Sequence, residues 1–494
     1  MNKIRHTIYA LLALATLGAA LASCGDVSGA ETGTAAPVSD AVTETAAETE
    51  TTEYFPDLPV KDYNGYTFTF LTSNESDDNG ADWVTYDIYA EAETGDVIID
   101  AVYKRNTWLE EKYNIKIEQY QCVTMTETKK AVQAGVTDYD AVITAIANGC
   151  SMGSGNYILD LQDVPYIDLD QSYWDQGVTE GTSIGGRTYI ATGDITIVDN
   201  EATWVLMFNK QMAQNLDYDF YEMVRNNEWD FETFYDCAKS AIKDINGDGK
   251  MVGTDDQFGF ATSDQSAQGL MYATGVTLST KDADDYPIIK TDIDRLTSVI
   301  ISAGEIMSDA ETTIITGKNG ISTSDDLRIL FEEGRSLFFG EVMACVTRMR
   351  DSETDFGLIP FPKYETTQEN YYNFVHKTAG KGVCIPSTQA DPEMASIIIE
   401  AMAAKSVYTV TEAYYDKALT YKYMRDEESA EMLDLILSSR VYDLAYIYDW
   451  GNLFTSLHSL ITSGKDTVSS TWQKKLSSAE KALDKTITAY KENE

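Results

Sequence analysis

The chain is short of positive charge, of histidine and of long apolar runs. Its 494 residues carry 37 Lys and Arg against 80 Asp and Glu, a formal net charge of −43. Nucleic-acid binding needs a basic surface to offset phosphates, so this balance excludes it. It also disfavours electrostatic docking of the body on anionic lipid; a neutral or cationic ligand fits better. Histidine occurs three times, as His6, His376 and His458, and the last two lack a Cys or His neighbour at metal-ligand spacing. No Gly-x-Ser-x-Gly is present, and Gly153-Ser154-Gly155 reads as a short flexible turn. Acidic pairs such as Asp255-Asp256 and Glu332-Glu333 are too common in so acidic a chain to signal a glycosidase, and read as solvated faces. Catalysis has no motif here.

Cysteine is equally uninformative as a scaffold. Setting Cys24 aside, five remain at scattered spacings: Cys122, Cys150, Cys237, Cys345 and Cys384. Cys122 could pair with Cys150, but buried small hydrophobes are the plainer reading of all five.

A single long apolar run occurs, Ile8 to Ala22, behind the basic start Lys3, Arg5 and His6. It falls short of the about 20 residues that cross a bilayer and suits the hydrophobic region of a secretory signal. It closes on Leu21-Ala22-Ser23-Cys24, which resembles the lipobox of bacterial lipoproteins. The resemblance implies cleavage before Cys24, diacylglycerol on its sulfur, and a place on the outer face of the cell membrane. From there to residue 57 the chain is rich in Thr, Ala and Glu, and no Lys or Arg occurs between Arg5 and Lys61. Such a segment cannot bury enough apolar surface to order itself, and is expected to be an acidic, disordered tether.

The remainder, 43% hydrophobic over the whole chain, is long enough for two lobes of ordinary size. Tyr66 to Leu71 alternates with strand period. Ile98 to Tyr113 has helical spacing and a C-terminal cap at Asn114, with a new strand from Ile115. Tyr139 to Ala147, Gly186 to Ala191, Thr203 to Phe208, Arg335 to Gly340, Phe356 to Phe361 and Lys381 to Pro386 also read as strands. A helix is expected from Trp229-Asp230, with Asp230 as its N-cap, to about Lys243. From Asp391 the chain reads as mainly helical. The class is α/β.

Asp244-Ile245-Asn246-Gly247-Asp248-Gly249-Lys250 is the sharpest local motif. Oxygen side chains at positions 1, 3 and 5 with Gly at 6 can wrap Ca²⁺, which takes six to eight oxygens. Asp244, Asn246 and Asp248 fit, Lys250 would lend its carbonyl, and Asp255 or Asp256 would close the site. Position 9 is Val252, with no side-chain oxygen. A structural calcium ion in an isolated loop is expected, with a metal-free acidic turn as the alternative.

Several short patterns share an order with one known family. They are Leu109-Glu110-Glu111-Lys112-Tyr113-Asn114-Ile115, Tyr139-Asp140-Ala141-Val142, Ile158-Leu159-Asp160-Leu161, Gly186-Arg187-Thr188-Tyr189, and Met207-Phe208-Asn209-Lys210 ahead of Trp229-Asp230. Phe331-Glu332-Glu333-Gly334-Arg335 and Phe356-Gly357-Leu358-Ile359-Pro360-Phe361-Pro362 follow. Over roughly residues 60 to 405 the chain resembles the family 1 extracellular solute-binding proteins of sugar-type ABC importers. Gly193 to Glu201 is longer and more acidic than the crossover usual in that family.

The resemblance implies a two-lobe, type II periplasmic-binding-protein-like fold with crossing hinge strands. Lobe 1 would hold 58–196 and 376–410, and lobe 2 would hold 197–375 and 411–494 with C-terminal helices. The implied role is a monomeric, non-enzymatic carrier that captures a sugar or other small polar ligand and hands it to an ABC permease. A secreted glycoside hydrolase and a surface glycan-binding module are the alternatives. Ligand contacts are expected where strands end or cross: Ser73 and Asn74, Asn148, then Asp194, Asn200, Glu201 and Trp204 at the crossover, Glu341, and Trp450 in the C-terminal region.

Overall fold

The computed structural model describes residues 53–77, 83–349, 352–420 and 427–493. The signal, Cys24 and the tether up to residue 52 lie outside the described residues. In chain order the strands are β1 (Tyr66–Ser73), β2 (Ile115–Cys122), β3 (Ala141–Ala145), β4 (Trp204–Asn209), β5 (Phe258–Thr262), β6 (Ser279–Lys281) and β7 (Pro287–Ile289). They continue with β8 (Thr313–Ile315), β9 (Ser336–Val342), β10 (Phe356–Ile359), β11 (Asn373–Phe374), β12 (Lys381–Cys384) and β13 (Arg440–Val441).

The first lobe is built on a sheet ordered β12-β3-β1-β2, with β1 parallel to β2 and β3, and β12 antiparallel to β3. The alternation of β1 works as expected: Phe68 and Phe70 are fully buried while Thr67 faces solvent. The helix Val97–Tyr113 links β1 to β2. It starts where the Asp96 carboxylate accepts the Ile98 and Ile99 N–H groups, and stops where Asn114 turns left-handed at φ 49°. Two expectations need correction. The strand read over Tyr139 to Ala147 is β3 alone, and Ile146–Ser154 is a helix that takes in the Gly153-Ser154 turn. The stretch Gly186 to Ala191 is not a strand but makes isolated bridges, Ile184 with Arg187 and Ala191 with Val383.

The second lobe carries a sheet ordered β10-β4-β9-β5-β8. β4 runs antiparallel to β10 and β9, while β5 is parallel to β9 and β8. Aromatic rings fill one face: Phe220 lies 4.9 Å from Phe338, and Trp229 donates its Nε1–H to the Pro360 carbonyl at 3.0 Å. Each such ring contributes about 1.5–3 kcal/mol by burial. Asp230 caps the helix Phe231–Ser240, accepting the Thr233 N–H at 3.0 Å, so that helix ends earlier than Lys243.

The chain passes between the sheets twice, before β4 and again between β11 and β12. The crossings touch: Thr203 bridges Val375, and the His376 N–H donates to the Ala202 carbonyl at 3.1 Å.

The C-terminal helices serve both lobes. Helix Pro392–Ser406 and helix Val410–Thr420 pack on Val97–Tyr113, with Val410 and Tyr414 against Ile98, Ala101 and Val102. The first lobe therefore claims chain beyond residue 410. Helices Leu453–Ser463 and Val468–Glu492 pack on Ile293–Ser308 in the second lobe. The last one also reaches the first lobe, where the Tyr490 carbonyl accepts from Arg187 at 2.7 Å and Asn493 donates to the Gly153 carbonyl at 2.9 Å.

At the other end, the chain is docked from Glu53, ahead of residue 57. Phe55 meets Trp108 edge-on at 5.0 Å with the Lys112 ammonium 3.6 Å above the Phe55 ring. Cys122, Cys150, Cys237, Cys345 and Cys384 are all free and buried. No helix among the described residues is long and apolar enough to cross a membrane.

Candidate functional site

A cavity of about 270 Å³ opens where the two crossings meet the second sheet. The carboxyl ends of the parallel strands β5 and β9 supply Ser263, Gln265, Glu341 and Val342. This is the edge of an α/β sheet where backbone ends and loops converge, and where ligands usually lie. Trp204 opens β4, His376 and Ala379 come from the second crossing, and Trp83 follows β1 from the first lobe. Ser324, Asp325, Arg328, Cys345 and Arg348 complete the wall.

The lining combines two indoles with charged and amide groups. Trp204 is 2% exposed, yet its Nε1–H has no hydrogen-bond partner. A buried donor left unpaired costs about 1–3 kcal/mol, so it is suited to an incoming acceptor. Arg328 is held by Asp325 at 3.3 Å and Glu332 at 2.6 Å, which fixes its guanidinium at the wall. Glu341 turns back to accept the Val342 N–H at 3.0 Å. Burial, helped by the neighbouring Lys377 ammonium, pushes the His376 imidazole down to about 4, so it is neutral at pH 7. Its Nδ1 lies 3.2 Å from the Thr378 hydroxyl.

Of the residues singled out from sequence, Trp204 and Glu341 lie on this cavity. The other crossover residues turn elsewhere. Asp194 accepts from the Thr411 hydroxyl at 2.8 Å, Asn200 from Arg440 at 2.8 Å, and Glu201 from the Tyr86 hydroxyl at 2.6 Å. Ser73 is buried and hydrogen-bonded through its backbone to Thr85, and Asn74 accepts the Ser76 N–H within its own turn. Asn148 lies inside the helix Ile146–Ser154 rather than after a strand. Trp450 is 3% exposed, stacked on Tyr448 at 5.3 Å and bonded to Thr486 at 2.9 Å. Trp83, Gln265, Arg328, Arg348 and His376 carried no motif; they meet only because strand ends, the second crossing and the helices Ser324–Glu332 and Ala344–Arg348 converge.

The acidic loop is tightly hydrogen-bonded. Asp244 accepts the Gly247 and Gly249 N–H groups at 2.6 and 2.8 Å, Asn246 accepts from Asp248, and Asp248 from Lys250. Asp256 is fully buried, and its two oxygens take the Ile245 and Val252 N–H groups at 3.0 and 2.8 Å, while Asp255 is exposed. Among the described residues, no three His, Cys, Asp or Glu side chains converge as a metal site. A cation here would draw on Asp244, Asn246, Asp248 and the Lys250 carbonyl; Asp244, like Asp256, already accepts two loop N–H groups.

No family model matches the chain, and no curated protein matches it. Solved structures do. A cyclo/maltodextrin-binding protein complexed with maltotetraose is 14% identical, with 86% of this chain and 96% of that one covered and a TM-score of 0.52. RafE from Streptococcus pneumoniae is 14% identical, with coverage of 87% and 98% and a TM-score of 0.52. An ABC substrate-binding protein from Listeria monocytogenes in complex with cycloalternan is 13% identical, again with 87% and 98% covered and a TM-score of 0.52. The chain has the two-lobed α/β fold that these solute-binding proteins share.

Proposed function

We propose that the chain is a solute-binding protein that captures a carbohydrate in the cavity at its crossings and passes it unchanged to an ABC permease. The observation that carries this reading is the cavity itself. Indoles from both lobes, Trp83 and Trp204, line it together with carboxylate, guanidinium, amide and hydroxyl groups. Sugars present C–H faces that stack on such rings and hydroxyls that need such polar partners. The fold shared with proteins solved with maltotetraose and cycloalternan supports the same reading. A ligand touching both lobes binds best when they close, so its differential affinity shifts the population toward the closed form.

The lipid anchor at Cys24, an outer-face location, the permease partner and a monomeric state remain part of this proposal, resting on the sequence. A structural calcium ion at Asp244, Asn246, Asp248 and Lys250, closed by Asp255 or Asp256, belongs to it as well. A thermal-shift and calorimetric screen of the purified chain against malto- and cyclo-oligosaccharides tests the central claim. Binding should raise the melting temperature. Hydrolysis of an oligosaccharide at catalytic rates would replace the carrier reading with the hydrolase.

A further inference from the structure

Segments that frame the cavity converge on one side chain outside it. Arg440, on β13, is 10% exposed. Its Nη2 is ion-paired with Asp175, the N-cap of the first-lobe helix Gln176–Thr182. Its Nη1 meets Asp199 at 3.1 Å and Asn200 at 2.8 Å, both in the short helix Val198–Glu201 of the first crossing. β13 itself pairs with β11, at the start of the second crossing. Two residues on, the Tyr442 hydroxyl donates to the same Asp175 oxygen at 3.3 Å, while its ring packs on Ala202, Val375 and Ala379.

We propose that Arg440 is the positioning residue of the binding site: by holding Asp175, Asp199 and Asn200 together it sets the angle at which the crossings present Trp204 and His376 to the cavity. The proposal rests on the capture reading above. Its path to the cavity is short. The Thr203 hydroxyl donates to the Asp199 carbonyl at 3.1 Å, and Trp204 follows directly. Through Tyr442 the same fork reaches Ala379, a wall residue. A guanidinium fork can hold several oxygens in one plane, which a lysine ammonium cannot do.

The hub is also unbalanced in charge, with one guanidinium for two carboxylates. Asp194 adds to the negative field from the same crossing, and Glu201 sits two residues past Asp199 in the same short helix. Tyr414 and Tyr415 from helix Val410–Thr420 and Tyr442 from the ribbon close the surroundings. Burial lifts the Asp199 carboxyl to about 7 against the pull of Arg440, with Asp175 adding to the lift. Near neutrality the Asp199 carboxyl therefore passes from neutral to ionised beside Arg440.

Hydrogen–deuterium exchange on the intact chain, without ligand, decides the matter, with Arg440→Lys and the charge-neutral Asn200→Ala as variants. Both should speed exchange about tenfold in residues 198–204 and 375–380 and leave β5 and β9 unchanged. In the parent chain, exchange over 198–204, corrected for the intrinsic pH effect, should break near pH 7, and Asp199→Asn should remove the break. Calorimetry with maltotetraose and cycloalternan should then show affinity about tenfold weaker in Arg440→Lys. Unchanged exchange in both variants, or faster exchange with unchanged affinity, overturns the proposal. A parent chain that binds neither sugar counts against the capture reading, and the exchange arm still decides the hub.

Discussion

The His376 N–H donates to the Ala202 carbonyl at 3.1 Å, so the two crossings are tied to each other two residues ahead of Trp204. This pair is one of the ties between the lobes, and Trp204 and Ala379 on the cavity wall are its near neighbours.

Trp204→Phe is the cleanest probe of that wall. The Nε1–H has no partner in the protein, so its loss should leave the melting temperature within a few degrees. If a bound sugar accepts from it, affinity should fall about tenfold, as calorimetry would read. Trp204→Ala is a different experiment, since emptying a buried indole site costs about 3–5 kcal/mol of stability.

Two buried groups give stability opposite slopes with pH. His376 titrates at about 4 in the fold against 6.5 ordinarily. Its contribution is full above pH 6.5 and is lost as pH falls through 4, so His376→Gln should flatten the acid side of a melting-temperature profile. Glu400 accepts from the Tyr173 hydroxyl and the Trp174 Nε1–H, and burial lifts it from 4.5 to about 7. Its contribution is full below pH 4.5 and is lost as pH rises through 7, by about 3 kcal/mol. Glu400→Gln should flatten melting temperatures between pH 5 and pH 8; an unchanged slope would count against the burial argument.

Gly193→Ala should be among the most damaging single changes. Gly193 sits at φ 137°, and an added Cβ would lie 2.2 Å from the Tyr173 carbonyl oxygen. Backbone cannot give way as a side-chain tip can, so a loss of about 3 kcal/mol or more is expected, measured by urea melting.

For the acidic loop, calcium at a hundred times its dissociation constant should add about 2.7 kcal/mol. Asp244→Ala should abolish that gain and also lower stability in chelator, because two amide donors, those of Gly247 and Gly249, lose their acceptor. Equal melting temperatures with calcium and with chelator would establish the metal-free turn.

Local rules carried the architecture well. Asn114 and Asp230 stop and start helices where cap chemistry puts them, and the Phe-Thr alternation of β1 fixes its buried face. The run Tyr139 to Ala147 misled because nothing in it punctuates the change from β3 to helix at Ile146. The site was less legible. Asp194, Asn200 and Glu201 look like ligand groups because polar residues cluster at a crossing, yet their partners are Thr411, Arg440 and Tyr86. Those partners lie as far as 240 residues away, beyond the reach of spacing.

β12 completes the first sheet from far downstream: the Cys384 thiol meets the Val142 carbonyl across 242 residues of sequence. While the chain is being made, β3 therefore keeps a bare edge until nearly four-fifths of the polypeptide exists. A nascent molecule of this design stays unfinished at its leading end through most of synthesis.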